Sequence, residues 1–188
     1  MSLRALRGQN RKPDNHLQEK TVIANMNTYR AFLFSLLSLG FLAALAKAEP
    51  EYDRTKLLNL EKDKLAIQGY DPVSYFAGTP MEGKVSLTHE YKGIIYRFAE
   101  EANREAFIAM PDHYEPQYGG WCAYAMLDSD KVDINPERFK IIDEKLYLFY
   151  DGLWGDTLKR WNKLTKKQTE TSLVEKADQN WTKVVTKK

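Results

Sequence analysis

Cys122 is the only cysteine among 188 residues, and the chemistry this chain could do starts from it. It lies in Pro116-Gln117-Tyr118-Gly119-Gly120-Trp121-Cys122-Ala123-Tyr124-Ala125, which also holds the only Gly-Gly pair and three aromatic rings within seven positions. A double glycine admits positive φ or a close approach by another group. Rings on either side can then enclose whatever sits there. Tyr118, Gly119, Gly120, Trp121 and Tyr124 therefore join Cys122 as the candidate lining of a small-ligand site. A lone thiol is either a small buried hydrophobe or the reactive atom of such a site. Having no second cysteine excludes an internal disulfide and the paired spacings of a zinc ribbon. Nucleophilic use needs a cation, an imidazolium or a helix N-terminus nearby, and no neighbour in sequence supplies one.

A soft metal is the other chemistry a thiol suggests. His113 stands nine residues before Cys122, and Met110 and Met126 flank the region. A Cys–His–Met set takes copper or zinc. Neither His113 nor His89 has short-range ligand spacing to the cysteine, however, and Met is more often core filler. His89 alternates with Leu87 and Tyr91 and reads as a hydrogen-bonded core histidine. Asp71, Asp112, Glu115 and Asp128 are scattered acids without the spacing of an acid/base pair, which suits caps and loops. With no phosphate-binding glycine loop, no G-x-S-x-G and no H-E-x-x-H, an ordinary hydrolase or nucleotide enzyme finds no support.

The elements that must position these residues follow from periodicity. Leu65-Ala66-Ile67 is a short apolar strand ended by Gly69, and Asp71-Pro72 starts a helical turn that stops at Gly78. Leu87, His89 and Tyr91 alternate on one strand, Lys92-Gly93 turns, and Ile94, Tyr96 and Phe98 alternate on the return. Helical spacing from Glu100 to Met110 runs through Ala102, Ala106 and Met110, with Phe107 beside them, and Pro111 ends it. Residues 112–117 are loop. Phe139–Ile142 and Leu146–Tyr150 form a second hairpin around Asp143-Glu144-Lys145. Leu153, Trp154, Leu158, Trp161 and Leu164 share one side of a helix, and Leu173, Val174, Ala177, Trp181, Val184 and Val185 mark a last one. The expected fold is α+β: two antiparallel hairpins packed with short helices and a helical C-terminal segment.

Ahead of this domain, Met26-Asn27-Thr28-Tyr29-Arg30, the apolar run 31–46 and Ala46-Lys47-Ala48 have the order of a secretory signal peptide. This sixteen-residue run makes about 24 Å of helix, short of the roughly 30 Å hydrocarbon core, so cleavage is favoured over an uncleaved anchor. Residues 1–25 read as an extension ahead of a true start at Met26, 26–48 as the leader, 49–59 as a flexible lead-in and 60–185 as the domain. The protein is thus expected to be exported: periplasmic in a Gram-negative source, otherwise secreted, with no stable membrane insertion after cleavage. Of 28 Lys/Arg and 26 Asp/Glu, seven and two fall in residues 1–48, leaving 21 against 24, a net of −3. The overall +2 belongs to the leader, so a nucleic-acid partner loses its electrostatic basis. Lys166-Lys167 and Lys187-Lys188 read as solvated faces.

Taken in order, Gly69-Tyr70-Asp71-Pro72-Val73-Ser74-Tyr75-Phe76, Tyr91-Lys92-Gly93, Tyr96-Arg97-Phe98, Asn103-Arg104-Glu105-Ala106-Phe107 and Pro111-Asp112-His113-Tyr114 resemble the YHS domain family. Tyr118-Gly119-Gly120-Trp121-Cys122-Ala123-Tyr124-Ala125 and Lys145-Leu146-Tyr147-Leu148 are similar to its exported, single-domain branch, and the resemblance covers roughly residues 60 to 182. Metal-handling members of the wider YHS/TRASH group carry cysteines in patterns like D-P-V-C and F-C-x-x-x-C. Ser74, Ala99 and Asn103 stand at those positions here, so that metal chemistry does not carry over. The exported branch is similar to proteins described as candidate selenoproteins, which implies redox use of Cys122 if it applies to this position. Three readings follow: a binding module holding a small ligand or soft metal near Cys122, a thiol-redox protein using Cys122, or a structural or protein-interaction domain in which Cys122 only packs.

Overall fold

The computed structural model describes residues 53–186. The 1–25 extension and the leader lie outside them. The fold is α+β, with five helices and three two-stranded antiparallel sheets among the described residues.

Strands β1 (Lys84–Tyr91) and β2 (Ile94–Phe98) pair with Tyr91 opposite Ile94 and His89 opposite Tyr96. Lys92 and Gly93 both have positive φ, 48° and 78°, the backbone twist that a two-residue hairpin turn requires. Alternation puts Ile94, Tyr96 and Phe98 into the core. The second hairpin joins β3 (Asn135–Ile142) to β4 (Lys145–Phe149) through Asp143 and Glu144, again both at positive φ. Here alternation has a further consequence. Leu146 and Leu148 face one apolar cluster, while Tyr147 and Phe149 face another. β4 is therefore the wall between two cores.

The first core gathers Tyr75, Ile94, Tyr96, Phe98, Phe107 and Cys122. Helix α1 (Glu101–Ala109) enters it through Phe107, with the half-buried Asn103 one turn earlier. Ala102 and Met110 are exposed, so the face expected from Ala102, Ala106 and Met110 is corrected to Asn103 and Phe107. A polar residue is the first anchor, which an apolar period cannot register. Pro111 does end α1, but it also opens the one-turn helix α2 (Pro111–Tyr114) where a loop was expected. Proline's fixed φ suits that first position. Leu65-Ala66-Ile67 makes only isolated bridges, Leu65 to Ile95 and Ala66 to Leu60, before a turn into Gly69.

The second core holds the C-terminal helices. It gathers Met126 from α3 (Ala123–Met126), Trp161 from α4 (Thr157–Leu164), and Leu173 and Ala177 from α5 (Glu170–Thr186). Trp161 is fully buried, and its indole N–H donates to Glu170 Oε1 at 2.9 Å. Its truncation to Ala would cost about 3–5 kcal/mol. Asn180 donates from Nδ2 to the carbonyls of Met126 and Leu127, at 3.1 and 2.8 Å, which satisfies the open end of α3.

Two sequence expectations change here. Leu153 and Trp154 are not on a helix. They form the tip of a third hairpin, β5 (Asp151–Gly152) and β6 (Gly155–Asp156), and are 99% and 78% exposed. Helix α4 begins only at Thr157, capped by Asp156 Oδ1 accepting from Lys159 N at 3.0 Å. From Asp53 on, the lead-in expected to be flexible is instead a strap over residues 53–60. Asn59 N donates to Gly119 O at 2.8 Å, and the Trp121 indole donates to Leu57 O at 2.6 Å. Among the described residues, no helix is long and apolar enough to cross a membrane.

Candidate functional site at the glycine pair

Gly119 and Gly120 sit at φ +61° and +83°, next to Tyr118 at φ 56°. This left-handed run, unfavourable for side-chain-bearing residues, brings the backbone up against the strap. A Cβ on Gly119 would lie 2.3 Å from Leu58 Cδ2 and 3.3 Å from Leu58 Cα. The double glycine is there because another chain segment passes over it. Asn59 Nδ2 adds bonds to Gly120 O at 3.1 Å and Asp133 Oδ1 at 2.9 Å.

Between strap and glycine turn lies a cavity of about 330 Å³. Its apolar walls are Leu57, Leu60, Ile67 and Trp181, and Tyr118, Gly119 and Gly120 line it as expected from the sequence. Its polar lining includes Arg54, Tyr96 and Glu115, with Asn59, Asp112 and Gln117. One guanidinium nitrogen of Arg54 donates to both Glu115 oxygens, at 2.7 and 2.9 Å, and the Tyr96 hydroxyl donates to Oε1. Burial pushes the Tyr96 phenol well up, and the neighbouring Glu115 carboxylate adds to the shift, so the hydroxyl keeps its proton. Tyr118 is likewise raised, by burial first and then by Asp178, whose Oδ1 accepts from it at 2.9 Å.

Cys122 is elsewhere. The thiol is fully buried in the first core. Its sulfur accepts from Tyr150 N at 3.4 Å and lies 3.3 Å from Thr157 Oγ1. The Thr157 hydroxyl donates to Tyr150 O at 2.8 Å, which leaves the thiol hydrogen to complete the bond to Thr157 Oγ1. Sulfur here closes a small polar network at the start of α4. Trp121 turns its indole to the strap, and Tyr124 packs between the two cores. Neither of them, nor Cys122, lines the cavity.

The proposed soft-metal set does not fit copper or zinc. Met110 is 54% exposed, whereas Met126 is fully buried in the second core. The His113 ring packs on Phe76 and Tyr114, with centroids 4.7 Å away in both cases. Three ligands around one ion are what such a site needs. Among the described residues, no three His, Cys, Asp or Glu side chains are grouped to hold one. His89 sits half-buried with its ring 6.2 Å from that of Phe107.

A second constellation is assembled where the sequence showed only spacing. Ser74, Ala99 and Asn103 converge on the fully buried Asp71. Oδ1 accepts from Val73 N at 2.9 Å and Ser74 N at 3.4 Å, and Oδ2 from Ala99 N at 2.9 Å and Asn103 Nδ2 at 2.7 Å. The Ser74 hydroxyl donates to Asp71 O and accepts from Met81 N. The helix expected to start at Asp71-Pro72 is instead a short 3₁₀ helix, Ser74–Ala77, with Val73 at its N-cap; Asp71 accepts from the Val73 and Ser74 amides at its start rather than sitting at the cap. Four donors on one carboxylate make this a closed structural hub.

Sequence reasoning missed Arg54, Asn59 and the role of Glu115. Only the glycine pair signalled that something approaches closely there, and it could not say what. No protein-family model matches the chain, and neither do any curated proteins or solved structures.

Proposed function

We propose that the chain is an exported, YHS-like binding module that takes a small amphiphilic molecule into the cavity beneath the strap. The observation that carries this reading is the cavity itself, built where the glycine pair lets two backbone segments meet. Its volume of about 330 Å³ is at the lower end of the roughly 300–1,000 Å³ usual for small-molecule sites. An apolar body would lie against Leu57, Leu60, Ile67 and Trp181, and a polar group would face Arg54 and Glu115. The YHS reading draws support from the meeting of Ser74, Ala99 and Asn103, since positions that form one site in a family must be neighbours in space. Export rests on the leader motif alone. Thiol-redox use of Cys122 draws no support from a sulfur that is fully buried and hydrogen-bonded on both sides.

A thermal-shift panel of small aromatic and aliphatic amines, carboxylates and neutral amphiphiles tests the reading. Stabilisation by one chemical class, abolished by Leu60→Trp, is the expected result. A panel in which nothing stabilises the wild-type chain removes the proposal.

A further inference from the structure

The Leu153-Trp154 tip has no role in the cavity or in either core. Adjacent large apolar side chains, 99% and 78% exposed, are costly to leave in water and are held there by the turn. Trp154 N donates to the Tyr150 hydroxyl at 3.3 Å, and an Arg160 guanidinium nitrogen donates to Trp154 O. The tip is thus fixed to the start of α4. From Thr157 to Thr169 the chain carries five Lys/Arg and no Asp/Glu. Lys159, Arg160 and Lys163 fall on the side of α4 away from the buried Trp161, with Lys166 and Lys167 just beyond the helix, and all five are exposed. Acids beside this stretch are already engaged: Asp151 with Arg138, Asp156 with Arg138 and Lys159, and Glu170 with Lys140. The rest of the domain is acidic enough to bring residues 49–188 to a net −3. Against that background, this patch is a basic surface that a negative plane attracts.

We propose that the Leu153-Trp154 tip and the basic side of α4 dock the protein peripherally on an anionic lipid bilayer. Tryptophan and leucine partition into the interfacial layer, and clustered Lys/Arg are drawn to acidic headgroups within a Debye length. A soluble polyanion would satisfy the charges but leave Leu153 and Trp154 in water. The bilayer accounts for both features at once. This inference is independent of the cavity.

The test uses the full chain with vesicles of phosphatidylcholine alone or with phosphatidylglycerol, each with and without brominated acyl chains. Residues 1–52 contain no tryptophan, so the leader cannot produce the signal. The expected result is a blue shift and bromine quenching with phosphatidylglycerol vesicles, weakened by salt. The quenched component should vanish in Trp154→Phe. Leu153→Ser, and separately Lys163→Glu/Lys166→Glu, all of which keep Trp154, should lower the quenching-detected affinity by about tenfold or more. These are surface substitutions, and unchanged circular dichroism shows that the fold is kept. Three results overturn the proposal: Trp154 emission that ignores vesicles, binding to heparin that is indifferent to the tip substitutions in place of vesicle binding, or lipid-free self-association that buries Trp154.

Discussion

Leu58 and Gly119 meet so closely that any side chain at 119 would have to turn the Leu58 side chain aside and press on its backbone, with a Cβ 2.3 Å from Leu58 Cδ2 and 3.3 Å from Leu58 Cα. Both residues line the cavity. Gly119→Ala should therefore combine a left-handed strain with a steric one and cost about 1–3 kcal/mol in urea unfolding. It should also make the strap more susceptible to proteolysis near residue 58. Unchanged stability and protection would mean that the strap is not seated on the turn.

Arg54 holds the largely buried Glu115 carboxylate across 61 residues of sequence. Arg54→Ala leaves that carboxylate with Tyr96 alone and should destabilise by about 2 kcal/mol. Hydrogen exchange of the Asn59 amide should accelerate with it, because the strap loses its outer latch. An exchange rate unchanged from wild type would show that Arg54 does not hold the strap.

Asp71 is fully buried, so removing its carboxylate strands four donors at once. Asp71→Ala should cost about 3–5 kcal/mol. Asp71→Asn, which keeps one acceptor oxygen, should cost less. Equal effects of the two would show that shape rather than hydrogen bonding matters at this hub.

Glu170 sets part of the acid sensitivity. Burial alone would raise its carboxyl, but hydrogen bonds from Lys140 and the Trp161 indole outweigh it and hold the group below its ordinary value. A lowered folded value means stability that is present above the unfolded value of about 4.3 and lost as pH falls through the folded one. Wild type should be more stable than Glu170→Gln at neutral pH, with the gap closing below about pH 4. A gap that stays constant down to acid would contradict the pairing.

The two hairpins were legible because their side chains alternate and their turns are two residues long. Both turns place residues at positive φ, yet Asp143-Glu144 lacks glycine and was readable only from its flanks. The Leu153-Trp154 tip was misread because its apolar residues happen to continue the spacing of Leu158 and Trp161. Gly152 and Gly155 were the signal for the turn. The strap was not legible at all, since its partners lie about sixty residues away and its own stretch is charged. As for the candidate site, Tyr118, Gly119 and Gly120 were found through backbone permissiveness. Trp121, Cys122 and Tyr124, drawn in by proximity along the chain, point elsewhere.

Cys122 links Tyr150 and Thr157 inside the first core, so the native thiol should not react with an aromatic disulfide reagent until the chain is unfolded. Cys122→Ala should cost about 1–2 kcal/mol. Rapid reaction in the native state would reopen thiol chemistry.

Native mass spectrometry of the protein isolated from its producing cells, as wild type, Leu60→Trp and Cys122→Ala, bears most directly on where the ligand sits. The account predicts a small molecule bound to wild type and to Cys122→Ala and absent from Leu60→Trp. A bound molecule lost with Cys122 but retained by Leu60→Trp would place the site at the sulfur and contradict it.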